Sequence, residues 1–239
     1  MSPREVQVTG IDGLPEILPG DDLAAIVSPF LARVAAQDDD VVAVTQKIVS
    51  KAEGRLVSGR DRDDVVADET VRIVARRGDL VIAETAHGLI CANAGVDASN
   101  VEDGTLSLLP VDPDASAERL RRGLRDRLGI DLGVVITDTF GRPWRQGVIN
   151  VAIGCAGLPA VVDLRGRTDH HGRPLEATII ALADEVAAAS GLVMAKDARI
   201  PVALVRGIDR MDAPDGVGTD LIRPADEDLF RTGEGSLRA

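Results

Sequence analysis

Apolar residues recur along the chain in two periods, and each period predicts an element. From Glu5 to Ile11, Val6, Val8 and Thr9 alternate with other residues, the two-residue repeat of a strand. Asp12–Gly20 is interrupted by Gly13, Pro15, Pro19 and Gly20 and reads as a loop. From Leu23 to about Ala36, Leu23, Ile26, Val27, Phe30, Leu31 and Val34 fall on one helical face, and Asp21 or Asp22 stands where a cap belongs. Val41–Thr45 is a short apolar strand. Gln46–Gly54 opens either a helix or a ligand loop. Asp63–Arg77 predicts a helix, because Val65, Val66, Val71 and Val74 match its spacing.

Leu80–Ala83 and Leu89–Ala92 are brief strands on either side of His87-Gly88, followed by a loop over Asn93–Asn100. Leu106–Pro110 is apolar. Beyond Ser116, Arg119–Leu128 aligns Leu120, Leu124 and Leu128 as a helix that Gly129 ends. Leu132–Thr137 is an apolar strand that runs into Asp138. Asp138–Asn150 is polar and Gly-rich, Val151–Val162 is small and apolar, and Asp163–Pro174 is a polar turn region. Glu176 to about Ala189 reads as the longest helix, Pro201–Val205 as the last strand, and the acidic, Gly-rich tail from Asp209 as only partly regular. Strands and helices alternate irregularly. The fold class expected is α+β, with mixed sheets and packed helices and neither a Rossmann nor a P-loop arrangement.

Composition narrows the function. Hydrophobic residues are 45% of the 239, enough for a packed core, but there are one Trp, three Phe and no Tyr. Few rings are available to stack on bases, and a net charge of −12 supplies no basic surface for a duplex. Nucleic acid is therefore not the expected partner. An anionic substrate would need a site that reverses the field locally. Cys91 and Cys155 are too few for a disulfide framework, the N-terminal segment lacks an apolar signal core, and no apolar run reaches membrane-spanning length. A soluble protein of the reducing cytoplasm is expected.

The common nucleotide motifs are missing. Gly54-Arg-Leu-Val-Ser-Gly59 continues with Arg60-Asp61, so it lacks the Lys and hydroxyl of a P-loop. No G-x-G-x-x-G occurs, and the adjacent His170 and His171 do not suit a zinc site.

Five segments can carry chemistry. Val134–Arg145 delivers Asp138 and Thr139 at a strand end, oxygen donors of the kind Mg²⁺ takes, with Arg142 and Arg145 as charge for phosphate or carboxylate and the only Trp between them. The plainer reading there is a capped turn with solvated arginines. Gly95–Asn100 offers Asp97 and Asn100 three residues apart, although an Asx-turn and a helix cap describe it as well. In Thr45–Gly54, Lys47 and Lys51 share a helical face and invite an anion between them, or form a solvated basic face. The Pro-shaped Leu14–Gly20 loop can present backbone to a base or phosphate, or is simply a loop. Asp184 and Glu185 could stand behind a metal's direct ligands, but read best as the polar face of a helix.

In this order, Gly-Leu-Pro-Glu, Thr-Gln-Lys-Ile-Val-Ser-Lys, Gly-Val-Asp-Ala-Ser-Asn, Leu-Leu-Pro-Val-Asp-Pro-Asp and Ile-Thr-Asp-Thr-Phe-Gly-Arg-Pro-Trp-Arg resemble the coenzyme F420-0:gamma-glutamyl ligase family, from about Val6 to about Phe230. The resemblance implies a GTP-dependent, GDP-forming ligase that adds L-glutamate to coenzyme F420-0, and allows further γ-linked glutamates, through an acyl phosphate. It implies two divalent cations, Mg²⁺ or Mn²⁺, with K⁺, and an intertwined homodimer. Carried over by position, Asp97, Asp138 and Thr139 become metal contacts. Leu14, Pro15, Glu16, Ile17, Gln46, Lys51 and Asn100 become nucleotide contacts, with Met194 to about Pro201 near them. Asp138, Lys51, Arg142 and Arg145 are the expected catalytic residues. Lys196 departs from the glutamine of many relatives, and a protonated Lys ligates no cation. A single ligase domain over 1–239, of one body or two subdomains and without a C-terminal flavin-binding domain, is expected. The competing reading is a metal-dependent nucleotide phosphohydrolase using the same aspartates with water as acceptor.

Overall fold

The computed structural model describes residues 5–210 and 213–228. In chain order the elements are β1 (Gln7–Ile11), α1 (Leu23–Arg33), β2 (Val41–Thr45), α2 (Gln46–Ala52), β3 (Leu56–Ser58), α3 (Arg62–Asp68), β4 (Arg72–Arg77) and β5 (Leu80–Glu84). They continue with β6 (Ile90–Ala92), β7 (Thr105–Ser107), α4 (Pro113–Leu128), β8 (Gly133–Arg142), β9 (Arg145–Ala156), β10 (Val162–Asp163), β11 (Ile179–Ile180), α5 (Leu182–Ser190) and β12 (Val202–Arg206). The class is mixed α and β, as expected.

A five-stranded sheet in the order β1-β12-β2-β8-β9 organises the molecule. Only β2 and β8 run parallel, and every other neighbouring pair is antiparallel. The apolar strands explain why the sheet lies between helices. Val42, Val44, Val134, Ile136 and Leu204 point to one face, against Val27 and Leu31 of α1 and Leu120 and Leu124 of α4. Val41, Val135, Cys155 and Val205 point to the other, against Ala183, Val186 and Ala187 of α5. A strand buried on both faces has no polar positions to alternate, and this is why Val41–Thr45 reads as a continuous apolar run. Fully burying one Leu such as Leu124 contributes about 2 kcal/mol.

Capping chemistry sets the helix starts. The Asp22 carboxylate accepts the Ala25 amide at 3.0 Å ahead of α1, and the Asp112 carboxylate accepts the Ala115 amide at 2.9 Å ahead of α4, whose first residue is Pro113. The smaller elements stand beside the main sheet: β3 pairs with β7, β4-β5-β6 form a three-stranded sheet, and α3 packs Val65 and Val66 on Val96, Leu106 and Leu108.

Three expectations are corrected. The helix predicted over Asp63–Arg77 stops at Asp68, and Arg72–Arg77 is a strand. The deciding signal is Gly78-Asp79, a two-residue connection with Gly78 at φ 57°, which folds β4 back on β5. The strand predicted to end at Thr137, with Asp138 and Thr139 at its end, runs on to Arg142, and β9 begins at Arg145, so the polar stretch Asp138–Asn150 is a hairpin. Glu176–Ala189 is not the longest helix. Residues 179–180 pair with Val162–Asp163, α5 starts only at Leu182, and α4 with 16 residues is longer. In the tail, Gly218–Leu221 forms a 3₁₀ turn, and residues 211–212 and 229–239 lie outside the described residues. No helix among the described residues is long and apolar enough to cross a membrane.

Candidate functional site

The parallel pair fixes where a site can form. The parallel pairing of β2 and β8 ends with Thr45 opposite Thr137, so the next residues of both strands emerge side by side. Asp138 follows on one, and Gln46 and Lys47 open α2 on the other. Crevices beyond the carboxyl ends of parallel strands are where open sheets take ligands. A β-bulge sharpens the aim here. Ile136 pairs with Gly154 and Thr137 with Ala152, so Ile153 is the extra residue, immediately before the strand delivers Asp138. Asp184 of α5 steadies that irregularity by accepting the Ala152 amide at 2.8 Å. Its carboxylate is therefore turned onto the sheet and is not simply part of a solvated helix face. Burial pushes its acidity towards higher pH, against the pull of that amide.

Around this point lies a cleft of about 610 Å³. Three further segments reach it. The loop before α1 contributes Leu14, Pro15, Glu16 and Ile17, and is tied to α2 where the Gly20 amide donates to Ala52 O at 2.8 Å. Asp97, Ser99 and Asn100 come from the loop after β6, registered by Asp97–Ser107 bridging bonds of 3.0 and 2.8 Å. Met194 to Pro201 closes a wall, brought in by the Thr45 amide donating to Pro201 O at 2.9 Å. Four segments flagged separately in the sequence thus meet at one place.

The polar groups form a connected set. The Lys47 ammonium lies 2.7 Å from Asp97 Oδ2, 2.5 Å from Ser99 O and 2.8 Å from Ser99 Oγ. Ser99 returns two bonds to Asp97, from its amide at 2.7 Å and its hydroxyl at 2.7 Å. Burial alone would raise the Asp97 carboxyl, but the Lys47 and Ser99 hydrogen bonds outweigh it and hold the group below the usual carboxylate range. Lys51 is paired with Glu16. Gln46 is almost wholly enclosed, and its Oε1 accepts the Ser50 hydroxyl at 2.8 Å. Thr139 Oγ1 donates to Asn150 Oδ1 at 3.1 Å.

Asp138 has the most perturbed acidity in the cleft. Desolvation pushes its carboxyl up to about 6, the Asp97 charge adds to the rise, and the Thr139 amide with Lys47 and Lys196 opposes it. Buried Cys91 lies close enough to feel that carboxylate, and burial, helped by Asp138, pushes its thiol up to about 12. Along the lining, Lys47, Lys51, Lys196 and Arg199 stand against Glu16, Asp97 and Asp138. The local field is thus lifted from the −12 of the whole chain to near balance.

Of the residues singled out from sequence, Leu14, Pro15, Glu16, Ile17, Gln46, Lys51, Asp97, Asn100, Asp138 and Thr139 all line this cleft. Arg142 and Arg145 do not. They are the last register pair at the tip of the β8–β9 hairpin, away from the end of the β2–β8 pairing. Asn150 lines the cleft but escaped notice, since its segment reads only as polar and Gly-rich; the signal available was the pairing of two β-branched stretches around Gly141–Trp144. Among the described residues no group of three or more His, Cys, Asp and Glu gathers as a metal cage. What is present is two carboxylates with hydroxyl and amide oxygens. That hard-oxygen set fits a cation of the Mg²⁺ kind, which binds through one or two carboxylates and completes its shell with phosphate and water.

Comparison with known proteins gives the family of the chain. The profile of the F420-0:Gamma-glutamyl ligase family matches residues 12–207. The chain is 38% identical to the coenzyme F420:L-glutamate ligase of Methanothermobacter thermautotrophicus, over 95% of this chain and 99% of that protein. It is 40% identical to that of Methanopyrus kandleri, over 90% and 94%, and 40% identical to that of Archaeoglobus fulgidus, over 95% and 96%. The family match and these relatives define an enzyme of the ligase class. More particularly, the chain belongs to the F420-0:gamma-glutamyl ligase family.

Proposed function

We propose that this enzyme joins L-glutamate to coenzyme F420-0, extending the cofactor's tail by one or more γ-linked residues, with GTP as the phosphate donor. The observation that carries this reading is the convergence of the Leu14–Ile17 loop, Gln46, Lys51, Asp97, Asn100, Asp138 and Thr139 on one cleft in a chain of this family. An oxygen of the F420-0 terminal carboxylate attacks the γ-phosphorus, the bond from that phosphorus to the β,γ-bridging oxygen breaks, and GDP leaves. The glutamate amine then attacks the acyl carbon, the C–N bond forms, phosphate leaves and the amine proton passes to solvent. Phosphoryl transfer of this kind needs positioning and charge neutralisation more than covalent help.

The roles follow from the chemistry of each group. Leu14–Ile17, Gln46 and Asn100 frame the nucleotide, and Lys51 leaves Glu16 to meet its phosphates. Asp97, Asp138 and Thr139 are the groups that would hold Mg²⁺ or Mn²⁺, two per site with K⁺ beside them, and such ions supply charge neutralisation at the phosphates. Residues 1–239 work as one ligase domain of the cytoplasm, where buried Cys91 and Cys155 stay reduced. A homodimer belongs to the same reading, supported by exposed Val71, Ile73, Val74, Leu80 and Ile90 on and beside the β4-β5-β6 sheet.

The test is mass spectrometry of the deazaflavin substrate after incubation with enzyme, L-glutamate, GTP and Mn²⁺, with GDP followed in parallel. A product heavier by glutamyl units, formed in step with GDP, is expected. GDP without a heavier product would replace the ligase by a phosphohydrolase.

A further inference from the structure

Two of the cleft's cations, Lys47 and Lys51, are held by its own carboxylates, Asp97 and Glu16. Lys47 is the clearest case. An ammonium has three N–H donors, and here all three have acceptors within 2.8 Å: Asp97 Oδ2, Ser99 O and Ser99 Oγ. The pair is partly sheltered, with the Lys47 side chain 16% and the Asp97 side chain 37% exposed. Asp97 is equally engaged, since its Oδ1 accepts the Ser99 amide and its Oδ2 accepts both Lys47 and the Ser99 hydroxyl.

Two consequences follow. A divalent cation approaching Asp97 meets an ammonium already seated on the same oxygen, and like charges that close repel strongly. A phosphate chain entering the cleft finds Lys47 turned away from it onto a carboxylate. Each ligand, by arriving, removes the obstacle to the other: the cation takes Asp97, and the displaced Lys47 becomes free for phosphate beside Lys51, one helical turn further along α2.

We propose that Lys47 is an exchangeable counter-ion, held on Asp97 in the free cleft and passed to the nucleotide's phosphates when a divalent cation takes Asp97. This deepens the proposed function and rests on it. The exchange makes Lys47 a positioning residue that couples cation and nucleotide binding, and linkage requires the coupling to act equally in both directions.

The experiment measures the two ligands separately. Mn²⁺ binding without nucleotide is followed by the electron spin resonance of free Mn²⁺, and GDP binding in excess EDTA by calorimetry, for wild type, Lys47→Met and Asp97→Asn. Lys47→Met is expected to bind Mn²⁺ alone roughly twofold to fivefold tighter, the scale of losing one partly exposed ion-pair competitor. Asp97→Asn, which frees the ammonium, is expected to bind cation-free GDP tighter by a similar factor, while Lys47→Met binds it more weakly. An ion pair with only a structural role would loosen both ligands in both variants. Should Lys47→Met fail to fold, Lys47→Gln, which still donates to Ser99 O, takes its place. Unchanged or weaker Mn²⁺ affinity in the Lys47 variant, or unchanged or weaker GDP affinity in Asp97→Asn, overturns the exchange while leaving the ligase reading intact. A wild-type protein that binds neither ligand, alone or together, overturns both.

Discussion

Asn150 faces Thr139 across the β8–β9 ladder, and its Oδ1 accepts the Thr139 hydroxyl at 3.1 Å. The bond fixes the rotation of the hydroxyl next to Asp138, and so which of its lone pairs is presented to the cleft. Asn150→Ala removes that restraint without opening the core, since the residue is only half-buried. We expect kcat/KM for glutamate addition to fall by about tenfold, a loss of roughly 1.4 kcal/mol of transition-state stabilisation. Urea unfolding should move by no more than about 1 kcal/mol. A fall in stability large enough to account for the activity would remove Asn150 from the site.

Gly154 lies where α4 meets the sheet. A Cβ there would stand 2.4 Å from the Pro113 carbonyl oxygen, which is backbone and cannot rotate aside. Gly154→Ala must therefore push the start of α4 off β9, and overpacking of this kind costs about 1–3 kcal/mol. The expected result is a lower urea midpoint with an unchanged slope. A wild-type midpoint would mean that α4 yields without loss.

The sequence was most legible where burial and function coincide. Val41–Thr45 and Leu132–Thr137 are apolar on both faces, and each ends in polar residues that line the cleft, so the two central strands and the place of Asp138 were readable together. Legibility failed where strands leave the core. Beyond Asp138 the hairpin has few buried side chains, so no apolar alternation marks it, and Asn150 was lost with it. Val71 and Val74 misled in the opposite sense: both are exposed, so their helical spacing reports no buried face. The pairing of Lys47 with Asp97 spans fifty positions, and no local pattern carries a contact of that range.

The position of the hairpin tip separates the charged candidates. Lys51 lines the cleft, whereas Arg145 is exposed and lies at the far end of β8–β9. Lys51→Ala should lower kcat/KM by about a hundredfold, the usual scale for removing one charged contact to a transferring phosphoryl group. Arg145→Ala should stay within about threefold of wild type. Steady-state kinetics on both variants decides the matter. A large loss in Arg145→Ala would mean that the hairpin tip of one copy enters the cleft of another.

Asp138 gives the cation-free protein a definite dependence on pH. Its carboxyl stands at about 6, raised from 3.8 chiefly by desolvation. A carboxyl raised on folding binds its proton more tightly in the folded chain, so the ionised form penalises the fold. The penalty is fully present above pH 6, shrinks as pH falls from about 6 towards about 4, and is absent below that. At its largest it is on the order of 3 kcal/mol. Asp138→Asn removes the ionisation while keeping the shape. In EDTA the variant should therefore melt at a higher temperature than wild type at about pH 8, with the difference closing as pH drops towards 4. Adding Mn²⁺ at pH 8 should reverse the order, because a bound cation compensates the Asp138 charge and an amide gives it far less. Equal melting temperatures in EDTA at pH 8 would show that the carboxylate is already well solvated or paired there, and Asp138 would lose its claim to be the group that calls a cation into the cleft.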